Sequence, residues 1–314
     1  MQTLKCMNCA GPVFYTRRYS GESLCSACFR QSIESKVRRT ISKYRMLKHG
    51  ERVAVAVSGG KDSLSLLTIM AKIVPKHGSE LVAITVDEGI DGYRDESISN
   101  ARLVTERLGV PLHVISYKQL FGFTQDQAIN TRTGKVTSCA MCGTFRRRAI
   151  DVASDQLGVE VLATAHNLDD MVQTFMINLM NCDLKRLGWF GGTSQSERFK
   201  VRRIHPFMEI YEKEAALYAF ASGLPMQSTH CPYMDEGIRS SIRIYLNSLE
   251  EAHPGIKNMM LKSALGVADR FRQSRTESTR CVSCGRPSTG ELCSTCELLS
   301  TFPASSIPVE TPVS

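Results

Sequence analysis

A buried-strand pattern, Arg52 to Val57, runs without interruption into Ser58-Gly59-Gly60-Lys61-Asp62-Ser63, and a helical pattern starts near Leu64. Few junctions constrain a fold more. Two glycines let the backbone approach an anion closely, and the helix N-terminus offers unpaired N–H groups at the positive end of its dipole. Ser58 and Ser63 add hydroxyl donors, and Lys61 adds a mobile positive charge. The spacing is not GxxxxGK[ST], so this is not the Walker arrangement. The junction predicts an anion cradle at the C-terminal end of a strand, where open α/β sheets hold their ligands.

The flanking sequence repeats the same alternation. Leu81 to Val86, Leu112 to Ser116 and Val159 to Ala165 read as further strands. Helical spacing covers Leu64 to Val74, residues 94–108, Phe145 to Leu157 and Leu168 to Leu179, and residues 211–271 look mainly helical. Apolar strands alternating with amphipathic helices predict an α/β fold, a doubly wound parallel sheet covered on both faces. Two acidic groups fall at strand ends, Asp87-Glu88-Gly89 after the second strand and His166-Asn167-Leu168-Asp169-Asp170 after the fourth. Asp87 is thereby placed at the nucleotide end of the sheet. Asp169 is expected to cap the helix, and Asp170 to serve a nucleotide or a Mg²⁺ ion on its phosphates.

Twelve cysteines are the second constraint. No run of about 20 apolar residues could span a bilayer, and the N-terminus lacks the apolar core of a signal peptide. A cytoplasmic protein with no membrane partner is expected, and in that compartment thiols stay reduced and serve metal or sulfur chemistry. Cys6, Cys9, Cys25 and Cys28 open the chain as two CxxC pairs, and Cys281, Cys284, Cys293 and Cys296 close it the same way. Each quartet has the four soft donors that Zn²⁺ takes at tetrahedral corners. Four cysteines remain. Cys139 and Cys142 form a third CxxC, expected just before the helix that carries Arg146, and Cys231 lies in His230-Cys231-Pro232-Tyr233. Cys182, at the end of an apolar helix, is expected in the core. Three thiolates suit an iron–sulfur cluster with one iron left open, or a redox pair with a persulfide carrier. Spacing alone leaves both open.

Charge is unevenly distributed. Residues 1–50 hold ten Lys or Arg against Glu22 and Glu34, a surplus equal to the +8 formal net charge of the whole chain. A basic module on a neutral body suits a polyanion. Arg38 and Arg39 are expected to grip phosphates, with Lys185, Arg186, Lys200, Arg202 and Arg203 the next candidates. The organisation expected is a zinc finger over 1–32, a basic linker helix over 33–50, a catalytic domain over 51–272, a second zinc finger over 273–300 and a flexible tail over 301–314.

SGGKDS after an apolar strand resembles the PP-loop of ATP pyrophosphatases, of HUP/Rossmann-like fold. In order along the chain, the first quartet, SGGKDS, SCAMCG, AHNLDD, HCPY and the second quartet resemble the tRNA uridine 2-sulfurtransferases of the TtuA/NcsA group. The resemblance covers residues 3–298. It implies an enzyme that adenylates O2 of a tRNA uridine with ATP and Mg²⁺, releases pyrophosphate, and replaces that oxygen with sulfur. It further implies two zinc modules that help hold tRNA, and a [4Fe–4S] cluster on Cys139, Cys142 and Cys231. By the same resemblance Ala56, Ser58, Gly59, Gly60, Lys61, Asp62, Ser63, Arg146, Ala165 and Asp170 contact the nucleotide, with Lys61, Asp62 and Asp170 serving catalysis. Ala165 departs from the glycine frequent in relatives, and is still small enough for close approach. Sulfide or a ubiquitin-like sulfur carrier would donate sulfur, and a homodimer is expected. Charged residues make up 22% of the chain, without the Lys/Glu enrichment of hyperthermophiles, which favours the wobble uridine over the T-loop (5-methyl)uridine. The alternatives are a tRNA cytidine as substrate, persulfide chemistry without a cluster, and a nucleotide-gated RNA-binding protein without activity. Terminal quartets speak against the first, and an intact SGGKDS with three spare cysteines against the last.

Overall fold

The structure, a computed structural model, describes residues 4–131, 136–191, 193–194, 201–233, 238–271 and 279–302. Six strands form one sheet: β1 (Arg52–Ala56), β2 (Glu80–Asp87), β3 (Leu112–Ser116), β4 (Val161–Ala163), β5 (Thr193–Ser194) and β6 (Arg202–Ile204). Their order is β3-β2-β1-β4-β6-β5, parallel except for the edge strand β5. The expected parallel sheet is therefore present. Because β1 pairs with both β2 and β4, the strand order reverses at the β1/β4 gap, the place where such sheets bind ligands.

Period-two alternation distributes the sheet between two cores. Val53 and Val55 of β1, Ala83 of β2, and Val161 and Ala163 of β4 face one core. Ala54, Val82, Ile84 and Leu162 face the other. The first core is closed by α2 (Lys61–Ile73), α3 (Arg94–Leu108), α5 (Leu168–Met180), α6 (Glu212–Ala221), α7 (Arg239–Ala252) and α8 (Ile256–Phe271). The second is closed by α4 (Ser138–Gln156), whose Met141, Phe145, Ala149 and Ala153 form one buried stripe.

Both termini dock on this body. The N-terminal hairpin, Tyr15–Thr16 against Ser23–Leu24, leads into α1 (Ser26–Lys43). That helix runs unbroken across residues 32 and 33 and buries Phe29, Ile33, Val37 and Ile41 in the first core. The C-terminal hairpin, Thr279–Arg280 against Pro287–Ser288, leads into α9 (Ser294–Leu299). Leu298 and Phe302 enter the second core, with Phe302 stacked 5.2 Å from Phe123. Among the described residues no helix is long and apolar enough to cross a membrane. Lys200 and residues 303–314 of the expected tail lie outside the described residues.

β4 is shorter than the predicted Val159–Ala165 run, and α2 begins three residues before Leu64. The second difference puts Lys61 and Asp62 in the first helical turn. Several N-terminal basic residues also pair within the protein. Arg17 meets Glu214 at 2.5 Å, Lys43 meets Glu209 at 2.6 Å, and Lys36 stands 3.7 Å from Glu214. Arg38 pairs with Glu34 at 3.6 Å. Arg17, Lys36 and Lys43 thus join the module to the body.

Candidate functional site

The cradle is built by backbone geometry. Gly59 has φ +85°, and a Cβ there would stand 2.0 Å from the Ser97 carbonyl oxygen, so no other residue fits. The Ser58 amide donates to Ser63 Oγ at 3.1 Å, and Ser63 Oγ donates to the Gly60 carbonyl at 2.9 Å, closing the loop on itself. Gly60 is the N-cap of α2 and supplies no side-chain cap, which leaves the first-turn N–H groups for an anion. Lys61 Nζ lies 3.1 Å from Asp62 Oδ2 and 3.2 Å from Glu212 Oε1. Burial alone lowers the Lys61 pKa, but these two carboxylates outweigh it and hold the ammonium charged. Burial pushes the Asp62 carboxyl up to about 6 despite Lys61 beside it. Ala56 ends β1, and Ala165 follows β4 two residues on, on either side of the β1/β4 gap.

A chain of charged contacts leaves this loop. Arg94, buried at the start of α3, donates to the Ser58 carbonyl at 3.0 Å and pairs with Glu88 at 2.6 Å. Glu88 is 1% exposed and also pairs with Arg146 at 2.5 Å. Arg146 in turn donates to Cys142 Sγ at 3.2 Å. The phosphate loop and a thiol are thereby joined through three side chains. Tyr117 Oη fixes the other side of this turn by donating to the Cys142 carbonyl at 2.8 Å. Asp87, adjacent to Glu88, turns its carboxylate onto the Gly89 amide at 2.9 Å.

Cys139 and Cys142 lie within α4, whose N-cap is Thr137, so this CxxC is helical rather than a turn before the helix. The i, i+3 spacing puts both thiols on one face. Cys139 Sγ donates to the Tyr233 carbonyl at 3.2 Å, which brings the Cys231-Pro232-Tyr233 segment onto α4. Burial raises the Cys142 pKa, with Arg146 opposing and the nearby Cys231 adding to the rise. The segment that carries Cys231, 92 positions beyond Cys139, is thus brought near the helix that carries Cys139 and Cys142.

The quartets differ in kind. In each, four Sγ atoms lie within 4.8 Å of one another. Cys9 and Cys25 are 3.5 Å apart and Cys284 and Cys293 3.7 Å, close to the ~3.8 Å edge of a tetrahedron with Zn–S bonds of about 2.3 Å. Cys25 caps α1 and Cys293 caps α9, each accepting the amide three residues on at 3.4 Å. Among the described residues the trio does not meet the 4.8 Å spacing.

Residues 30–245 match the PP-loop domain. The chain is 36% identical to cytoplasmic tRNA 2-thiolation protein 1 of Laccaria bicolor, over 90% of this chain and 81% of that protein. It is 35% identical to the protein of that name from Chlamydomonas reinhardtii, over 94% and 84% respectively. This chain belongs to that PP-loop family. Within it, U34-tRNA thiolase NcsA from Methanococcus maripaludis, solved with its [4Fe–4S] cluster, superposes over 100% of both chains. The TM-score is 0.85 at 31% identity.

Two expectations for this PP-loop protein need correction. The cap of α5 is Asn167, not Asp169; its side chain takes the Asp170 amide at 3.0 Å, and Asp170 Oδ2 takes the Asn167 amide at 3.1 Å. Asp169 is buried instead against Lys257 and the Glu212 amide, joining α5, α6 and α8. Cys182 is exposed rather than core, because the chain turns at φ +52° just past α5. Sequence reasoning also missed Arg94, Glu212 and the role of Glu88. A carboxylate beside Asp87 at a strand end was the one available signal for Glu88.

Proposed function

We propose that this protein is an ATP-dependent tRNA 2-thiolase of the cytoplasm that acts on uridine 34. The observation that carries the proposal is the unbroken contact chain from the Ser58 carbonyl through Arg94, Glu88 and Arg146 to Cys142. Activation of a base and delivery of sulfur must occur within one reach, and a contact chain from the phosphate loop to a thiol supports that reading. The names of the relatives and the solved thiolase supply the substrate class.

The uridine C2 carbonyl is a poor electrophile with a poor leaving group. In the proposed first half-reaction O2 attacks the ATP α-phosphorus and pyrophosphate leaves. The amides of the Ser58 to Ser63 loop and the Lys61 ammonium stabilise the charge that grows on it. Asp62 and Asp170 are suited to hold Mg²⁺ on the phosphates, with Asp87 near the same sheet end. In the second half-reaction a sulfur nucleophile attacks C2 and AMP leaves. Cys139, Cys142 and Cys231 would hold a [4Fe–4S] cluster, which when bound supplies sulfur at an iron that no cysteine closes. Arg146 offsets negative charge at the thiolates and stays oriented by Glu88. The two quartets would each hold one structural Zn²⁺. A sulfur donor, either sulfide or a ubiquitin-like carrier, and a second copy of the chain complete the proposed partners.

Anaerobic turnover with ATP, sulfide and unmodified tRNA tests the reading. The wild type should make 2-thiouridine at position 34 and bind about four irons per chain. Cys139→Ala, Cys142→Ala and Cys231→Ala should make none. Full activity of iron-free protein would overturn the cluster, and no thiolation by the wild type would overturn the activity.

A further inference from the structure

Two histidines share one hydroxyl at the nucleotide end of the sheet. Thr164 follows β4, and its Oγ1 lies 2.7 Å from His166 Nδ1 and 2.7 Å from His205 Nδ1. His205 follows β6, the neighbour of β4, and the Thr164 amide donates to the Ile204 carbonyl at 3.0 Å, so the sheet itself sets the spacing. The rings stand edge to face, 5.1 Å between centroids.

One hydroxyl carries one proton. It can donate to only one of these nitrogens, so the other ring must donate its Nδ1–H to the oxygen. When His166 is that donor, its Nε2 bears a lone pair, and the His166 side chain is exposed at the strand end beside the β1/β4 gap. The groups that face the pair are cationic: Arg239 of α7 and Arg203 of β6 for His166, Arg203 for His205. Arg203 is itself paired with Asp151, and it also bears on Arg147, one residue past the arginine that holds Cys142. Burial first, then Arg239 and Arg203 for His166, and burial, then His166 and Arg203 for His205, lower both imidazoles below their ordinary pKa.

Adenylation at O2 has a proton to place. Uridine carries hydrogen on N3. As the O2–Pα bond forms and the bond from Pα to pyrophosphate breaks, the ring becomes cationic unless that hydrogen leaves. Its electron pair then closes a C2=N3 double bond, and the adenylated base is neutral. We infer that His166 Nε2 is the catalytic base that takes the N3 proton, with Thr164 and His205 as positioning residues that hold it in the required tautomer. This inference rests on the thiolase reading above. A weakly basic imidazole suits the task, because the proton it accepts comes from a ring that O-adenylation has made strongly acidic. Neighbouring arginines keep it from being protonated beforehand. The exposed ring edge passes the proton to water after each turnover.

The test is tRNA-dependent pyrophosphate release from γ-labelled ATP, a readout of the first half-reaction that needs no sulfur. His166→Ala should lower kcat by about a hundredfold, within the range of general-base catalysis, with KM for ATP and tRNA changed by less than about threefold. Added imidazoles should restore release, faster as their pKa rises. Thr164→Val, which keeps the shape without the hydroxyl, should lower kcat about tenfold and displace the acid limb of the pH profile. A kcat within about threefold of wild type for His166→Ala, a loss confined to KM, or no rescue by any imidazole would overturn the assignment. Release by the wild type is the control: its absence would overturn the thiolase reading and this inference together, whereas release by wild type and His166→Ala alike would remove this inference alone.

Discussion

The quartets and the trio use the same side chain for opposite ends. In each quartet, four Sγ atoms crowd within 4.8 Å and the third cysteine also caps a helix. Such a site would be closed around one metal ion, and the binding free energy would go into holding a small hairpin and a helix together. The trio comes from one helix and a distant segment, is spread more widely, and answers to an arginine rather than to a fourth thiol. An open coordination position is what chemistry needs and what stability does without. The comparison teaches that cysteine count says little about role; spacing and the fourth neighbour decide it.

The sharpest way to break the comparison is to exchange the consequences. Cys231→Ala should lower tRNA thiolation by more than about a thousandfold, since all three thiolates act as a unit, while the melting temperature stays within a degree or so of wild type. Cys293→Ala should do the reverse, removing one of two zinc ions by metal analysis and several kcal/mol of stability in its module. Equal destabilisation by both would make the trio a third structural site.

Docking of the N-terminal quartet is the next largest effect. Glu214 is fully buried and Arg17 nearly so. Arg17→Met leaves that carboxylate with only Tyr19 at 3.0 Å and Lys36 at 3.7 Å, and should cost about 3 kcal/mol in urea denaturation. A loss under about 0.5 kcal/mol would show that the module is held by its cysteine quartet and apolar face alone.

The open site should also show its cost in pH dependence. Asp62 is raised to about 6 by burial, and its Oδ1 has no hydrogen-bond partner among the described residues. A carboxyl raised in the folded state binds its proton more tightly there than in the unfolded chain. Stability therefore increases as pH falls from about 6 to about 4, and above 6 the full penalty stands. Asp62→Asn removes the penalty, so it should stabilise by up to about 3 kcal/mol at pH 7.5 and by nearly nothing at pH 4. A difference independent of pH in parallel melts would refute the assignment. The smallest effect concerns RNA. Arg38→Gln with Arg39→Gln should reduce the slope of log affinity against log salt by about 1 to 2, because each lost phosphate contact removes about one released counterion. No change would move the RNA surface towards Lys185, Arg186 and Arg203.

The strand–glycine–helix junction, the quartets and the sheet were legible because each is a local pattern whose period or spacing has a single geometric outcome. The three spare cysteines were legible as a set, though spacing left cluster and persulfide chemistry open. What was not legible depends on which side chains the fold turns towards one another. Arg94 and Glu88 lie six residues apart across a strand-to-helix turn, and period-two alternation cannot say which of Asp87 and Glu88 turns inward. Asp169 looked like a cap because acidic residues favour helix starts, yet Asn167 stands at the boundary and a buried lysine from α8 claims the carboxylate. The ion pairs of Arg17, Lys36 and Lys43 were not legible because their partners, Glu214 and Glu209, lie well over a hundred residues away.

Helix α4 carries three arginines in succession. Each residue turns the helix by about 100°. Arg146 therefore reaches Cys142 and Glu88, Arg147 looks towards Arg203, and Arg148 donates to Cys293 Sγ at 2.9 Å and to Cys284 Sγ at 3.5 Å. One rigid rod thus reaches Cys142 on one side and the C-terminal quartet on another. Anyone grafting a foreign C-terminal knuckle onto this body inherits that linkage: unless the graft presents thiolates to Arg148, the rod loses an anchor, and the slack should be felt first at Cys142.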